Sequence, residues 1–104
     1  MLWRQGDVFI ETAGGVPTGA IRTAKPILAE GELTGHFHRA EDDSAAAVFD
    51  HRGNMFLDVT ADQVRIVHDE HGSIELRRGT YRVWRQREYD PLNARSSYSS
   101  MVED

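Results

Sequence analysis

The chain has 104 residues, of which 39% are hydrophobic and 28% charged, and its formal net charge is −5. This length predicts one domain with one modest core, and the composition excludes an intrinsically disordered chain. The absence of cysteine excludes disulfides and thiolate zinc ligands, while the negative charge makes nucleic acid an unlikely partner, since such binding is driven by phosphate neutralisation.

No apolar run is long enough for a signal peptide or a membrane span, so we expect a cytoplasmic protein with no membrane partner. Residues 7–11 predict a first strand, which the glycine- and proline-rich segment 13–19 ends. Residues 27–30 predict a second strand. Residues 33–39 predict an extended segment that carries two histidines on one face.

The middle of the chain predicts a hairpin. Residues 45–49 and 55–59 are apolar runs on either side of the turn-like segment 50–54. Residues 63–68 alternate polar and apolar side chains and predict a half-buried strand. Residues 69–72 then predict a turn.

Residues 74–76 predict a short strand, residues 77–79 a turn, and residues 80–89 a long strand rich in aromatic and β-branched side chains. We therefore predict an all-β fold, a small barrel or sandwich of six to eight short strands, within a domain spanning residues 1–91. The polar, serine-rich residues 92–104 predict a C-terminal tail outside that domain.

Four of the five histidines form two close pairs, His36 with His38 and His68 with His71. Side chains two residues apart on a strand leave the same face about 6.5–7 Å apart. Residues i and i+3 of a turn have Cα atoms within about 7 Å. The two pairs therefore predict a metal site with four imidazole ligands. The expected cofactor is a divalent transition metal, zinc first, with nickel, manganese, iron and copper as alternatives.

Two kinds of metal site remain open. If three histidines bind and water takes the fourth place, the bound water loses its proton near neutral pH and Glu70 is the predicted catalytic base, with Asp69 and Glu41 as alternatives. That site would serve a small-molecule hydrolase or lyase. A closed four-histidine site would instead stabilise a binding module. The simplest alternative is that both histidine pairs lie in polar turns and bind no ligand.

Arginines and aromatic residues alternate in the segment 77–89, which predicts an alternative function as a metal-free protein- or nucleic-acid-interaction module. Arg82 shares a strand face with Trp84 while Arg85 lies on the other, so ion pairs on a solvated sheet are the simpler use of these charges. His51 predicts a solvated turn residue. An unpaired edge strand predicts a homodimer.

Several motifs resemble those of a group of small, uncharacterised bacterial proteins. They are RQGDV at 4–8, LAEGE at 28–32 followed by TGHxH, HDEHG at 68–72, and QREYDP at 86–91. The likeness spans residues 4–91, apart from 12–26 and 40–63, and includes all four paired histidines. The resemblance implies a shared histidine site and carries no activity with it.

The HxH pair also resembles the metal-binding histidines of cupins, in which a barrel strand carries HxH, a carboxylate follows, and another histidine comes from a later strand. That resemblance implies His36, His38 and Glu41 as the first ligands and His68 or His71 as the later one. Glu41 comes early for this pattern, and the later motif lacks the usual proline and glycine before the histidine.

Overall fold

The computed structural model describes residues 1–30 and 36–86, and these residues form eight β-strands and no α-helix. All strand pairs are antiparallel, which confirms the all-β prediction. No helix in this part of the chain is long and apolar enough to cross a membrane. The strands are β1 (Leu2–Gln5), β2 (Val8–Ala13), β3 (Ile21–Arg22), β4 (Ile27–Glu30), β5 (Phe37–Ala40), β6 (Ala46–His51), β7 (Asn54–Val67) and β8 (Ile74–Arg85).

The strands make one sheet that folds over itself. Its order is β1-β2-β8-β7-β5-β4, and β6 leaves this path by pairing with β7 and β3. β7 pairs with β6 through its first six residues and with β5 through its last two. The same edge of this long strand therefore has two different neighbours. No backbone ladder joins β1 to β4 among the described strands, so the fold is sandwich-like and not a closed barrel.

β7 and β8 are long, with 14 and 12 residues, and each replaces two strands of the sequence prediction. The predicted turn at 77–79 is wrong, because these residues lie inside β8. Where β7 advances four residues, from Val59 to Gln63, β8 advances two, from Gly79 to Arg77. This register shift, of the kind a β-bulge makes, leaves both strands continuous.

Two tight turns place the hairpins. β6 and β7 are joined by Arg52 and Gly53, whose φ values of 53° and 83° are both positive, as in a type I′ turn. This confirms the predicted hairpin. At the N-terminus, the predicted strand 7–11 corresponds to β2, and the sequence prediction missed β1 before it. Gly6, with a φ of 60°, begins the turn between them.

The predicted strand 27–30 is confirmed as β4 with the same bounds. β5 begins at Phe37, so His36 lies just before the strand and His38 within it. The first part of the predicted segment 33–39, the end of the predicted strand 80–89, and the proposed tail 92–104 fall partly or wholly outside the described residues.

The core is apolar except at one end. Large side chains from β2, β6, β7 and β8 are fully buried, and on each side of the register shift in β7 the buried residues alternate with more exposed ones, first Leu57 and Val59, then Val64 and Ile66. Gln5 and His38 are the two buried polar side chains of the described residues. The largest of the fully buried side chains are Phe9, Ile10, Leu57, Ile66, Leu76, Val8, Val48 and Val59.

Candidate functional site

The site lies where β1, β5 and β7 end close together. Gln5, the last residue of β1, is 2% exposed, and its side-chain amide donates to the carbonyl oxygens of Ile66 at 3.0 Å and Gly72 at 2.8 Å. Its Oε1 atom lies 2.9 Å from Nδ1 of His38. One buried glutamine therefore ties β1 to the end of β7, to the loop that follows, and to the histidine of β5.

All four histidines predicted from the sequence lie in one cluster. The ring of His68, just after β7, has its centre 4.1 Å from that of His38, 4.7 Å from that of His71 and 5.7 Å from that of His36. The centres of the His38 and His71 rings are 6.0 Å apart. The structure thus brings together two pairs that are 30 residues or more apart in the chain.

The cluster has a buried side and an exposed rim. His38 is 4% exposed, while His71 lies at the surface and His68 is half-buried. His36 is also on the rim, where its ring nitrogens lie 3.5 Å from carboxylate oxygens of Asp69 and Glu70.

A carboxylate borders the buried side. Asp7, in the turn before β2, places Oδ1 3.7 Å from Nε2 of His38. Its other oxygen, Oδ2, accepts a hydrogen bond from Nη2 of Arg85 at 3.2 Å. Arg85 comes from the end of β8, so a fourth strand contributes to the site.

Gly6 lets the loop containing His71 approach this turn. A Cβ atom added at Gly6 would lie 2.6 Å from Nε2 of His71, closer than non-bonded atoms allow. The positive φ of Gly6 also favours glycine over other residues. The glycine therefore serves both the turn and the packing of the histidine ring.

Burial sets the charge state of His38. It lowers the pKa of His38 from its ordinary value of 6.5 to about 4, with the neighbouring His68 acting in the same direction and Asp7 opposing both. His38 is therefore neutral at pH 7. Neutral imidazole is the form that binds metals.

The distances between the ring centres are close to those of imidazoles on one metal ion, although the ring nitrogens do not point at one common position. Because a zinc–nitrogen bond is about 2.0–2.1 Å long, two imidazoles on one tetrahedral ion have ring centres roughly 5 Å apart. The measured separations of 4.1 to 6.0 Å bracket this value. Within residues 1–30 and 36–86, however, no three histidine or carboxylate side chains already form a metal-binding geometry.

His68 would have to change its hydrogen bonding in order to bind an ion through Nε2. The backbone N–H of Glu70 donates to Nδ1 of His68 at 3.0 Å, so a neutral His68 carries its hydrogen on Nε2. To bind an ion through Nε2, His68 must change tautomer and give up this hydrogen bond. The exposed turn 69–72 leaves room for that change.

Two other residues considered from the sequence have surroundings of their own. Glu41 forms an exposed ion pair with Arg65, with Nη1 and Oε1 3.8 Å apart. His51 ends β6 beside the turn to β7, on a different part of the sheet. The carboxylate of Glu41 is thus paired with an arginine in this structure.

The arginines of β8 are divided among separate partners. Arg78 binds Asp62 at 2.8 Å, and Arg82 lies over the ring of Trp84 with its guanidinium carbon 5.1 Å from the ring centre. Arg85 binds Asp7, as described above. Three arginines of the strand thus already have a carboxylate or an aromatic ring as a partner.

Sequence reasoning missed Gln5 and Asp7 as parts of the site. Both lie in the RQGDV motif, near the N-terminus and far along the chain from the histidines. Neither residue belongs to a closely spaced pair of potential metal ligands in the sequence, and glutamine is not a typical ligand. The available signal was the occurrence of this motif together with the histidine motifs.

Comparison with known proteins identifies a family and no activity. No curated protein and no solved structure matches the chain. The model of one family, described as a domain of unknown function (DUF8820), matches residues 4–86, which include Gln5, Asp7 and all four clustered histidines. The chain therefore belongs to the DUF8820 family.

Proposed function

We propose that this domain binds one divalent transition metal, with zinc as the first candidate, through His36, His38, His68 and His71. The observation that carries the proposal is the position of His68, whose ring lies within 5.7 Å, centre to centre, of the other three. Imidazole is a common ligand of zinc, nickel and copper.

The chemistry of the individual rings supports this role. His38 is neutral and buried, and its Nδ1 atom faces a fixed hydrogen-bond acceptor on Gln5. Metal-binding histidines usually have such a partner at the nitrogen that does not bind the ion. The other rings lie toward solvent, so an ion has a path to the buried nitrogen.

A hydrolase or lyase activity extends this proposal. Three histidines would hold the ion, and a bound water in the fourth place would be deprotonated with the help of Glu70. The Glu70 carboxylate is exposed on the rim, 3.5 Å from the His36 ring. It can therefore reach a solvent molecule at the open side of the cluster.

An alternative function has less support. In it, the arginines and aromatic residues of 77–89 bind a protein or nucleic acid without metal. Arg78 and Arg85 already bind carboxylates, and Arg82 packs on Trp84. A phosphate ligand would have to compete with these contacts. Indifference of all binding to chelators, together with strong salt dependence, would favour this alternative.

Elemental analysis of tag-free protein, before and after treatment with a chelator, tests the proposal. We expect about one equivalent of metal per chain, and an unfolding temperature that falls when the metal is removed, because a ligand that binds only the folded state stabilises it. His68→Ala and His71→Ala are the informative variants, since neither residue is part of the core. His51→Ala is the matched control.

Metal content should drop sharply in the two rim variants and stay at the wild-type level in the control. Equal metal content in all of these proteins would contradict the ligand assignment. Protein that neither retains metal nor takes up zinc, nickel, manganese or iron would contradict metal binding itself.

A further inference from the structure

We propose that Asp7 is a further ligand of the bound metal, and that Gln5 is a positioning residue that presents His38 to the ion. This inference rests on the proposed function, because it concerns the same ion. It adds a carboxylate to a site that the sequence pattern assigned to histidines alone.

The orientation of the Gln5 amide follows from its partners. Its Nε2 atom lies 3.0 Å from the carbonyl oxygen of Ile66 and 2.8 Å from that of Gly72. Carbonyl oxygens only accept hydrogen bonds, so both amide hydrogens point at them. A flipped amide would place Oε1 against two other oxygens inside a buried site. Oε1 is therefore the atom that faces His38.

This orientation fixes the tautomer of His38. Because Oε1 of Gln5 only accepts, Nδ1 of His38 must carry the hydrogen that joins them across 2.9 Å. In the neutral ring, Nε2 then has no hydrogen and presents its lone pair. The ring is thus prepared to bind an ion through Nε2.

A carboxylate oxygen lies near this nitrogen. Oδ1 of Asp7 lies 3.7 Å from Nε2 of His38, and His38 is almost completely buried. Two electron-pair donors at this distance are both available to a cation placed between them. An ion about 2.1 Å from each atom would make an angle of about 120° between them, within the range that four- or five-coordinate zinc tolerates.

The surroundings of Asp7 suit a ligand. Arg85 donates to Oδ2 at 3.2 Å, which holds the carboxylate plane and directs Oδ1 toward His38. Metal-binding carboxylates are commonly held by such a second hydrogen bond. Asp7 and His38 would form the inner half of the site, and His36, His68 and His71 would close it from the rim. A mixed nitrogen and oxygen set suits zinc, manganese and iron.

Zinc titration against a competing chelator tests the role of Asp7. The variants are Asp7→Asn, Arg85→Met and Asp62→Asn, and cobalt spectra are recorded on the same proteins. Asp62→Asn is the matched control, because it also removes a carboxylate from an arginine, at a site remote from the histidines. Urea unfolding of each metal-free variant identifies any that fail to fold.

We expect Asp7→Asn to weaken zinc binding by about tenfold or more and to change the cobalt spectrum. Asp62→Asn should bind as the wild type does, and Arg85→Met should lose less affinity than Asp7→Asn. Wild-type affinity in Asp7→Asn, or equal losses in Asp7→Asn and Arg85→Met, would overturn the ligand role of Asp7 while leaving the histidine site in place. A wild-type protein that binds neither zinc nor cobalt would overturn the proposed function as well.

The tautomer can be measured without any variant. Nitrogen-15 chemical shifts of the histidine side chains, recorded on metal-free wild-type protein near pH 7, distinguish a protonated Nδ1 from a protonated Nε2. We expect His38 to carry its hydrogen on Nδ1, and the Gln5→Met variant to lose this preference. A hydrogen on Nε2 of His38 in the wild type would overturn the positioning role of Gln5.

Discussion

Replacing Gln5 with methionine tests how far one buried amide holds the site together. Methionine has nearly the same length and shape as glutamine but neither donates nor accepts strong hydrogen bonds. The substitution removes three hydrogen bonds, to Ile66, Gly72 and His38. It leaves the apolar packing at the end of β1 largely in place.

The expected cost follows from what each partner can do afterwards. The hydrogen bonds to the carbonyl of Ile66 and to Nδ1 of His38 are lost at buried residues, whereas Gly72 is exposed and its carbonyl can bind water instead. A buried polar group without a partner costs about 1–3 kcal/mol. We therefore expect Gln5→Met to lower the free energy of unfolding by about 2–4 kcal/mol.

Urea unfolding of metal-free protein, followed by tryptophan fluorescence, measures this loss. With a denaturant dependence of about 2 kcal/mol/M, the midpoint should fall by about 1–2 M. The control is Gln63→Met, on the exposed face of β7, which should change the free energy of unfolding by less than about 0.5 kcal/mol. Equal stability of the two variants would refute the reasoning that Gln5 satisfies buried groups.

Three further predictions concern the same region. Gly6→Ala and Gly53→Ala should each lose about 1–2 kcal/mol, because both glycines have positive φ. Only Gly6→Ala should also weaken zinc binding, since its new Cβ displaces His71; equal zinc titrations would contradict this. In metal-free protein, His38 has a lowered pKa, so the unfolded chain takes up its proton first and stability falls as the pH drops from 6.5 to 4. Between these pH values, the free energy of unfolding of the wild type should fall by up to about 3 kcal/mol more than that of His38→Gln, as denaturant unfolding measures. A difference between the two proteins that does not change with pH would contradict this. Glu70→Gln should keep the zinc stoichiometry of the wild type, and elemental analysis showing metal loss would make Glu70 a ligand.

The histidine cluster shows what local spacing can predict. His36 and His38 are two residues apart, and His68 and His71 are three apart, so each pair is near by covalent geometry alone. The meeting of the two pairs depends on β5 pairing with the end of β7, through Arg39 with Val67 and Ala40 with Ile66. That register is a property of the whole sheet. The metal itself stays a prediction.

The strand boundaries show where local patterns fail. Arg77, Arg78 and Gly79 look like a turn, because two charged residues followed by glycine are typical of one. In the structure they continue β8, where Gly79 pairs with Val59 and Arg77 with Gln63 of β7. The cross-strand contacts that decide this come from residues distant in the sequence.

Gln5 and Asp7 show why a site can be incomplete when inferred from ligand motifs. Neither residue type is diagnostic, and β1, which delivers Gln5, is a short N-terminal strand with two polar residues. Their role follows from contacts with His38, which lies more than 30 residues away. Only the folded arrangement connects the RQGDV motif to the histidines.

X-ray absorption at the zinc edge of the zinc-loaded wild-type protein tests the central claim most directly, because it counts imidazole ligands without any substitution. We expect one zinc per chain with at least three imidazole nitrogens at about 2.0–2.1 Å. A zinc shell made of water and carboxylate oxygens, or protein that takes up no zinc, would contradict a metal site built on the histidine cluster.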